Sequence, residues 1–221
     1  MIKAITFVKR KPDMSVEDFQ AYWRTKHPET VVRLPGLRRY VQSHALPAGY
    51  RKGELPWDGI AEVWMDDVDG FRRLPGTREY EAVQADERNF IGRSAMLLVD
   101  DVLIKDGPIP QDGVKNIELV TRRKGMDVAK FHAYWAEVHG PIAAKIPVLR
   151  RYVQSHARMG AYKGGREPIY DGCALTWFDG TADMRVSAAS PEYAVTRADE
   201  PNFLPDGHLP FLIAREHVIV A

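Results

Sequence analysis

Histidines and tyrosines recur at matching positions in the two halves of the chain, and these residue types suit acid–base chemistry. His27 follows Trp23 by one helical turn on an apolar stripe, where an unpaired charge is costly, so we expect a neutral imidazole. His44 follows Tyr40 by four residues on one face of a predicted strand. A tyrosine that donates to a carbonyl, beside a histidine that removes a proton from the adjacent carbon, suits enolisation followed by loss of water or lactone opening. The candidate catalytic residues of this type are His27, Tyr40, His44, His139, Tyr152 and His156.

The same residues also have purely structural interpretations. A histidine near a helix end can bond to a backbone carbonyl, and Tyr40 can pack across strands with its hydroxyl at the rim. If the face that carries Tyr40 and His44 turns toward the helices, the tyrosine and both histidines of each half converge on one pocket. The sequence therefore predicts a histidine–tyrosine pocket in each half.

Glu62 is a further catalytic candidate, because it lies in the middle of a predicted strand among apolar residues. On a pocket face its carboxylate could orient His27 or act as a base, and at a sheet edge it would face solvent. Its counterpart is Leu175, so the two halves are not equivalent and the first is favoured as the working site. Two histidines and one carboxylate (His27, His44 and Glu62) could hold a metal, but the spacing does not demand it, and no metal is predicted.

Aromatic residues in the loops and on the third strand of each half are candidates for substrate contacts. Their default role is packing. If Tyr50 and Trp57 fold over the mouth of a pocket, they would select flat aromatic ligands. The predicted substrate-binding residues are Tyr50, Trp57, Trp64, Tyr162, Tyr170 and Trp177.

An internal repeat sets the organisation of the chain. The nonapeptide 37–45 returns unchanged at 149–157, an offset of 112 positions in 221 residues. Solenoid repeats are roughly 20–50 residues long, whereas roughly 100 residues is the size of a small domain. We predict a first unit over residues 1–105, a polar linker rich in proline and glycine over 106–113, and a second unit over 114–221.

Hydrophobic patterning predicts the order βαββαβ in each unit. Ser15 and Asp127 are expected to cap the first helices, which end at Pro35-Gly36 and at Pro147. This order is that of an α+β ferredoxin-like unit, with both helices on one face of an antiparallel sheet. Because the other face needs a cover, we expect the two tandem units to form an intramolecular dimeric α+β barrel. The predicted strands are 2–8, 37–45, 58–65, 94–104, 114–120, 149–157, 171–178 and 209–220, and the second helical regions are 68–85 and 182–198.

Composition narrows the classes of partner. The chain is 45% hydrophobic and 28% charged with a net charge of +1, which gives no electrostatic reason to expect nucleic acid or a membrane surface. The chain has no apolar run of about 18 residues, so no membrane span is expected. The single cysteine, Cys173, excludes an internal disulfide and suits a reducing compartment, so a cytoplasmic location is expected. A glycine-rich phosphate loop, GxSxG and HExxH are all missing.

The joint pattern of the repeated residues resembles the EthD family. It consists of Phe-x-x-Tyr-Trp-x-x-x-His (Phe19 to His27), Tyr-x-x-x-His (Tyr40 to His44), an Asp-Gly before a tryptophan-bearing strand, and Asp-Glu-x-Asn-Phe (Asp86 to Phe90), each found once per unit. The resemblance implies the dimeric α+β barrel fold. Relatives include a muconolactone methylisomerase and fungal polyketide dehydratases and decarboxylases, which use histidines and tyrosines around an apolar pocket without metal or organic cofactor.

The residues and the resemblance together predict a cofactor-independent lyase or isomerase. Its reaction would be dehydration, decarboxylation or lactone-type isomerisation of a small apolar, aromatic or polyketide-like carbonyl compound. The alternatives are haem binding through His27 or His139, and a non-catalytic carrier of an apolar molecule. Internal pairing of the units removes the need for a second chain without forbidding a homodimer.

Overall fold

Eight strands and eight α-helices form the computed structural model, which describes residues 1–221. The hydrogen-bonded strand order is β1-β3-β2-β8-β5-β7-β6-β4, a closed barrel. The predicted fold, two tandem βαββαβ units in an intramolecular dimeric α+β barrel, is confirmed. None of the helices has the length and apolar character needed to cross a membrane. The strands are β1 (Ile2–Arg10), β2 (Leu37–Ala45), β3 (Gly59–Met65), β4 (Ile91–Lys105), β5 (Val114–Val120), β6 (Arg151–Ala157), β7 (Gly172–Phe178) and β8 (Phe211–Val220).

Four helices belong to each half of the sequence. Ser15, Thr77, Asp127 and Ser190 cap two helices in each half, since their side chains accept a backbone N–H in the first turn. A π-helical segment, Trp135–His139, connects the fifth helix to the sixth. The helices are α1 (Val16–Thr25), α2 (Pro28–Val31), α3 (Val68–Arg72), α4 (Arg78–Phe90), α5 (Val128–Tyr134), α6 (Gly140–Ala143), α7 (Thr181–Ala188) and α8 (Pro191–Asp199).

The chain divides into two compact units. Unit 1 comprises Met1–Val99 together with Ala214–Ala221, and unit 2 comprises Asp100–Ile213. In unit 1, β3 pairs antiparallel with β1 and β2, β1 also pairs with β4, and β2 pairs with β8. In unit 2, β7 pairs antiparallel with β5 and β6. The predicted domain limits, with a linker at 106–113, stay a prediction.

Helices pack on one face of the sheet in unit 1. Phe19 and Trp23 of α1 and Phe90 of α4 share a core with Tyr40 of β2 and Ala61 of β3. These large aromatic rings are fully buried, so this layer supplies much of the hydrophobic stabilisation of the unit.

The first helix of unit 1 is interrupted, whereas the sequence predicted a single continuous helix up to Pro35-Gly36. Pro28 has no N–H to donate, so the hydrogen-bond ladder breaks before it. His27 N–H bonds instead to the carbonyl of Tyr22, five residues earlier, at 3.2 Å. The break separates α1 from α2 and places His27 at the joint.

Glycine is required where the tryptophan of the first helix meets the sheet. A Cβ at Gly59 would lie 2.3 Å from the carbonyl oxygen of Ser43 and 2.7 Å from the Trp23 ring. Gly172 is as tightly enclosed by Ser155 and Trp135. The repeated Asp-Gly pair therefore reflects close approach of a ring to the backbone of β3 and of β7.

We predict that Gly59→Ala destabilises the protein by about 2–3 kcal/mol, because overpacking forces Trp23 or the strand to move. The measurement is the urea midpoint of unfolding. Gly160→Ala is the matched control, since nothing lies within 4 Å of a Cβ there. Equal midpoints for the two variants would show that Trp23 is not held against the strand.

Candidate functional site

His27 at the α1–α2 joint is held by a carboxylate on α4. Its Nδ1 lies 2.7 Å from Oδ2 of Asp86, and the Tyr22 hydroxyl donates to the other oxygen of that carboxylate at 2.6 Å. Because a carboxylate only accepts, Nδ1 carries the proton, and Nε2 keeps a lone pair that no group in the protein engages. Burial lowers the pKa of His27, although Asp86 opposes part of this effect. The imidazole is therefore neutral at pH 7.

The same arrangement occurs in unit 2. His139 Nδ1 lies 2.9 Å from Asp199, to which the Tyr134 hydroxyl donates at 2.6 Å. Asn202 adds a third bond to that carboxylate at 3.0 Å. The sequence repeats this aspartate and asparagine in both units, but we predicted no role for either. Their recurrence together with that of the helix histidine was the signal that could have indicated the pair.

The side chains of Tyr40, Gln42 and His44 form a hydrogen-bonded ladder along β2, which sets the hydrogen-bonding role of the Tyr40 hydroxyl. The amide nitrogen of Gln42 donates to the Trp23 carbonyl at 2.8 Å and to the Tyr40 hydroxyl oxygen at 2.7 Å. His44 Nε2 donates to the Gln42 oxygen at 2.9 Å. The Tyr40 hydroxyl thus accepts a bond, and its own hydrogen has no acceptor in the protein. Burial raises the pKa of Tyr40, so the phenol stays protonated.

Unit 2 repeats this ladder with Tyr152, Gln154 and His156. Gln154 donates to the Trp135 carbonyl at 2.8 Å and to Tyr152 at 3.0 Å, and His156 lies 2.9 Å from the Gln154 oxygen. Trp135 also donates from its ring nitrogen to Tyr152 at 3.2 Å. The ladder gives a structural reason for the unchanged nonapeptide, because its tyrosine, glutamine and histidine all take part in one hydrogen-bonded chain.

An apolar cavity of about 220 Å³ lies between the helices and the sheet of unit 1. His27 and Tyr40 both line it, as predicted for the helix histidine and the tyrosine. Thr6, Tyr80 and Ser94 add hydroxyl groups to the wall. Most of the remaining wall is apolar and includes Trp23, Val31, Leu34, Phe71, Leu74 and Val83.

Glu87 is a lining residue that sequence reasoning missed. It follows Asp86 on α4, and its carboxyl forms neither a hydrogen bond nor an ion pair in the protein. Burial raises its pKa, and the neighbouring Asp86 raises it further. The cavity thus holds a third group that can carry a proton.

The strand histidine does not join this cavity, so the predicted convergence of both histidines is wrong. The His44 ring is stacked on Trp23 with 4.4 Å between ring centroids, and His156 is stacked on Trp135 in the same way. Four residues of strand span roughly 13 Å, which carries His44 past the cavity that Tyr40 reaches. Burial, with smaller effects of His217 and Arg24, lowers the pKa of His44 to about 3.

Glu62 is also not in the cavity. Ala61 and Val63 line it, so Glu62 points to the opposite face of β3, where it is buried and pairs with Lys3 at 3.2 Å. His27, His44 and Glu62, the three residues considered as metal ligands, therefore do not come together. No three histidine, cysteine or acidic side chains are grouped to hold a metal ion.

The six predicted substrate-binding aromatics lie elsewhere. Tyr50 and Tyr162 donate to Asp58 and Asp171 at 2.6 and 2.7 Å, which fastens their loops to the strand starts. Trp57 is buried, with its ring 5.7 Å from that of Phe7. The remaining three are also absent from the cavity wall. Trp64 has Lys3 over its ring, Trp177 has Lys115 over its ring, and Tyr170 is half-buried.

We predict that the protein loses stability in acid because His44 and His156 are buried in neutral form. Their pKa is about 3 in the folded protein against 6.5 for a free histidine. The unfolded chain therefore binds more protons below pH 6.5, and each histidine costs about 1.4 kcal/mol per pH unit from there down toward pH 3. Urea midpoints at pH 7.5 and 5 measure the slope. His44→Asn should make it shallower, and an unchanged slope contradicts the assignment.

Comparison with known proteins identifies the family. The EthD domain profile matches residues 11–94 and 123–206, and no curated protein matches the chain. An anthrone oxidase-like protein has the same fold, with a TM-score of 0.63 at 8% identity over 100% of this chain and 93% of that one. A protein of Fusobacterium nucleatum subsp. nucleatum, provisionally described as a monooxygenase, has a TM-score of 0.58 at 11% identity over 99% and 92%. A heme-binding protein from Thermus thermophilus has a TM-score of 0.53 at 14% identity over 97% and 90%. Since the profile matches both halves and together most of the residues, the chain belongs to the EthD family and carries two EthD domains in tandem.

Proposed function

We propose that unit 1 is a cofactor-independent lyase or isomerase that moves protons on a small, mostly apolar carbonyl compound of aromatic or polyketide-like type. One observation carries the proposal: His27, Tyr40 and Glu87 line the same apolar cavity. The Nε2 atom of His27, the hydroxyl hydrogen of Tyr40 and the carboxyl of Glu87 have no hydrogen-bond partner in the protein. A purely structural set of polar groups would be expected to satisfy one another in such a place.

His27 is the base. Asp86 fixes the Nδ1–H tautomer and leaves the Nε2 lone pair for a substrate proton. When Nε2 takes a proton, the imidazolium forms beside a carboxylate at 2.7 Å, which stabilises the new charge. The lowered pKa keeps the ring unprotonated and ready at pH 7.

Tyr40 is the hydrogen-bond donor to the substrate carbonyl. Its oxygen already accepts from Gln42, and accepting a bond polarises the O–H group and strengthens its donation. A donor aimed at a developing enolate in an apolar cavity stabilises charge more than it would in water. Removal of a proton by His27 then gives the enolate, whose oxygen accepts the hydrogen bond of Tyr40.

Glu87 is the acid. Burial and the neighbouring Asp86 raise its pKa, so the carboxyl takes up a proton more readily than a free glutamate does. It can give this proton to a leaving hydroxyl or to a distant carbon of the enolate. In a dehydration, the C–H electrons form the new C=C bond, the C–O bond breaks, and the hydroxyl leaves as water with the Glu87 proton. Transfer of the proton from His27 through solvent then restores both groups.

The size of the cavity bears on the haem alternative. The His27–Asp86 bond resembles the support that orients metal-binding histidines, and haem binding is stated for the Thermus thermophilus protein of the same fold. At about 220 Å³ the unit 1 cavity is smaller than the roughly 300–1,000 Å³ of sites for drug-sized ligands, which supports a small substrate over a porphyrin in this unit.

We predict that the protein catalyses deuterium incorporation next to the carbonyl of small β-hydroxy aryl ketones in heavy water, measured by mass spectrometry. His27→Gln and Tyr40→Phe should each slow the incorporation by about 100-fold or more, because each removes one partner of the enolisation step. Glu87→Gln should keep the incorporation and slow only the loss of water.

Matched variants of unit 2 serve as controls for this experiment. His139→Gln and Tyr152→Phe remove the equivalent groups, and neither His139 nor Tyr152 lines the unit 1 cavity. Full exchange in His27→Gln would exclude the proposed base. Binding of the ketone by the native protein without any exchange would identify a carrier instead of an enzyme.

A further inference from the structure

Unit 2 contains a second cavity, of about 330 Å³, in the matching position between its sheet and its helices. Tyr193 of α8 lines it, as the equivalent Tyr80 lines the cavity of unit 1. In each unit the first strand lines the cavity of that unit, but the lining residues differ between the two units. Ala4 and Thr6 line the first cavity, whereas Asn116 and Glu118 occupy those positions in the second.

These two substitutions make the unit 2 cavity a place with unused hydrogen-bond acceptors. The side-chain oxygen of Asn116 is buried and has no hydrogen-bond partner. The carboxyl of Glu118 has one weak bond, from the amide nitrogen of Asn116 at 3.4 Å. The hydroxyl of Tyr193 bonds to no protein group. Native interiors rarely leave such groups unsatisfied, so a bound molecule that brings donors is indicated.

No positive group of the protein forms a hydrogen bond or an ion pair with these acceptors, although Arg197 and His208 lie near enough to act on the charge of Glu118. Arg197 is engaged elsewhere, because it pairs with Glu200 and donates to the carbonyl of Gly207 at 3.2 Å. Arg185 and His208 are exposed at the rim. Burial raises the pKa of Glu118, although the Asn116 hydrogen bond and the charges of Arg197 and His208 oppose part of this effect.

We propose that the unit 2 cavity binds a small primary amine whose ammonium group donates to Glu118, Asn116 and Tyr193. An ammonium offers three N–H donors and no acceptor, which matches a carboxylate, an amide oxygen and a phenol oxygen. Phe178, Met184 and Ile213 form an apolar wall for the body of the molecule. This site is independent of the chemistry proposed for unit 1.

Calorimetric titration with phenethylamine tests the proposal, with phenylethanol and phenylacetate as probes of similar shape. The amine should bind more tightly than either, since only it satisfies all three acceptors and bears a positive charge. Glu118→Thr, which installs the unit 1 residue, should weaken amine binding by about 10-fold or more, the usual effect of losing a charge-assisted bond. Glu137→Thr, at an exposed glutamate of the same unit, should leave it unchanged.

Two further measurements keep the test decisive. Glu118→Gln retains the shape of the side chain and should also weaken binding, which covers a failure of the threonine variant to fold. His27→Gln should bind the amine as the native protein does, so failure of the unit 1 proposal leaves this result intact. Equal affinity for amine and alcohol, or amine binding unaffected in the folded Glu118 variants, overturns the proposal.

Discussion

The bond from the Gln42 amide to the main-chain carbonyl of Trp23 is the interaction on which the rest of unit 1 depends. It joins the first helix to the sheet at 2.8 Å inside the core. Because both donors of this amide are engaged, its oxygen must accept, and His44 supplies the proton. The same geometry turns the Tyr40 hydroxyl into an acceptor with an unused hydrogen. One buried amide thus fixes both the docking of the helix and the proton available to the cavity.

The duplicated scaffold supports two different cavities. The tryptophan–glycine contact, the Tyr-x-Gln-x-His ladder and the histidine–aspartate pair are the same in both units. The walls differ, because Ala4 and Thr6 are replaced by Asn116 and Glu118 on the first strand of the second unit. Identical supporting residues and altered lining residues are what would be expected if the fold was kept while the ligand changed.

The sequence predicted the fold well because repeats and periodicity report directly on which faces are buried. It also placed His27 and Tyr40 on the cavity wall. It failed for Glu62 because both faces of β3 are buried, so alternation cannot reveal which one meets the helices. It failed for His44 because sharing a face does not fix the distance along it, and it missed Glu87 because a carboxylate on a charged helix is normally solvated.

The state of the His27 ring tests the central idea most directly, since the proposed chemistry needs a proton on Nδ1 and a free lone pair on Nε2. The measurement is a long-range ¹H–¹⁵N spectrum of the native protein labelled with ¹⁵N-histidine at pH 7.5, with Asp86→Asn to assign the signal. We predict a neutral ring in the Nδ1–H form that changes in the variant. A charged ring, or a neutral ring with the proton on Nε2, contradicts this mechanism.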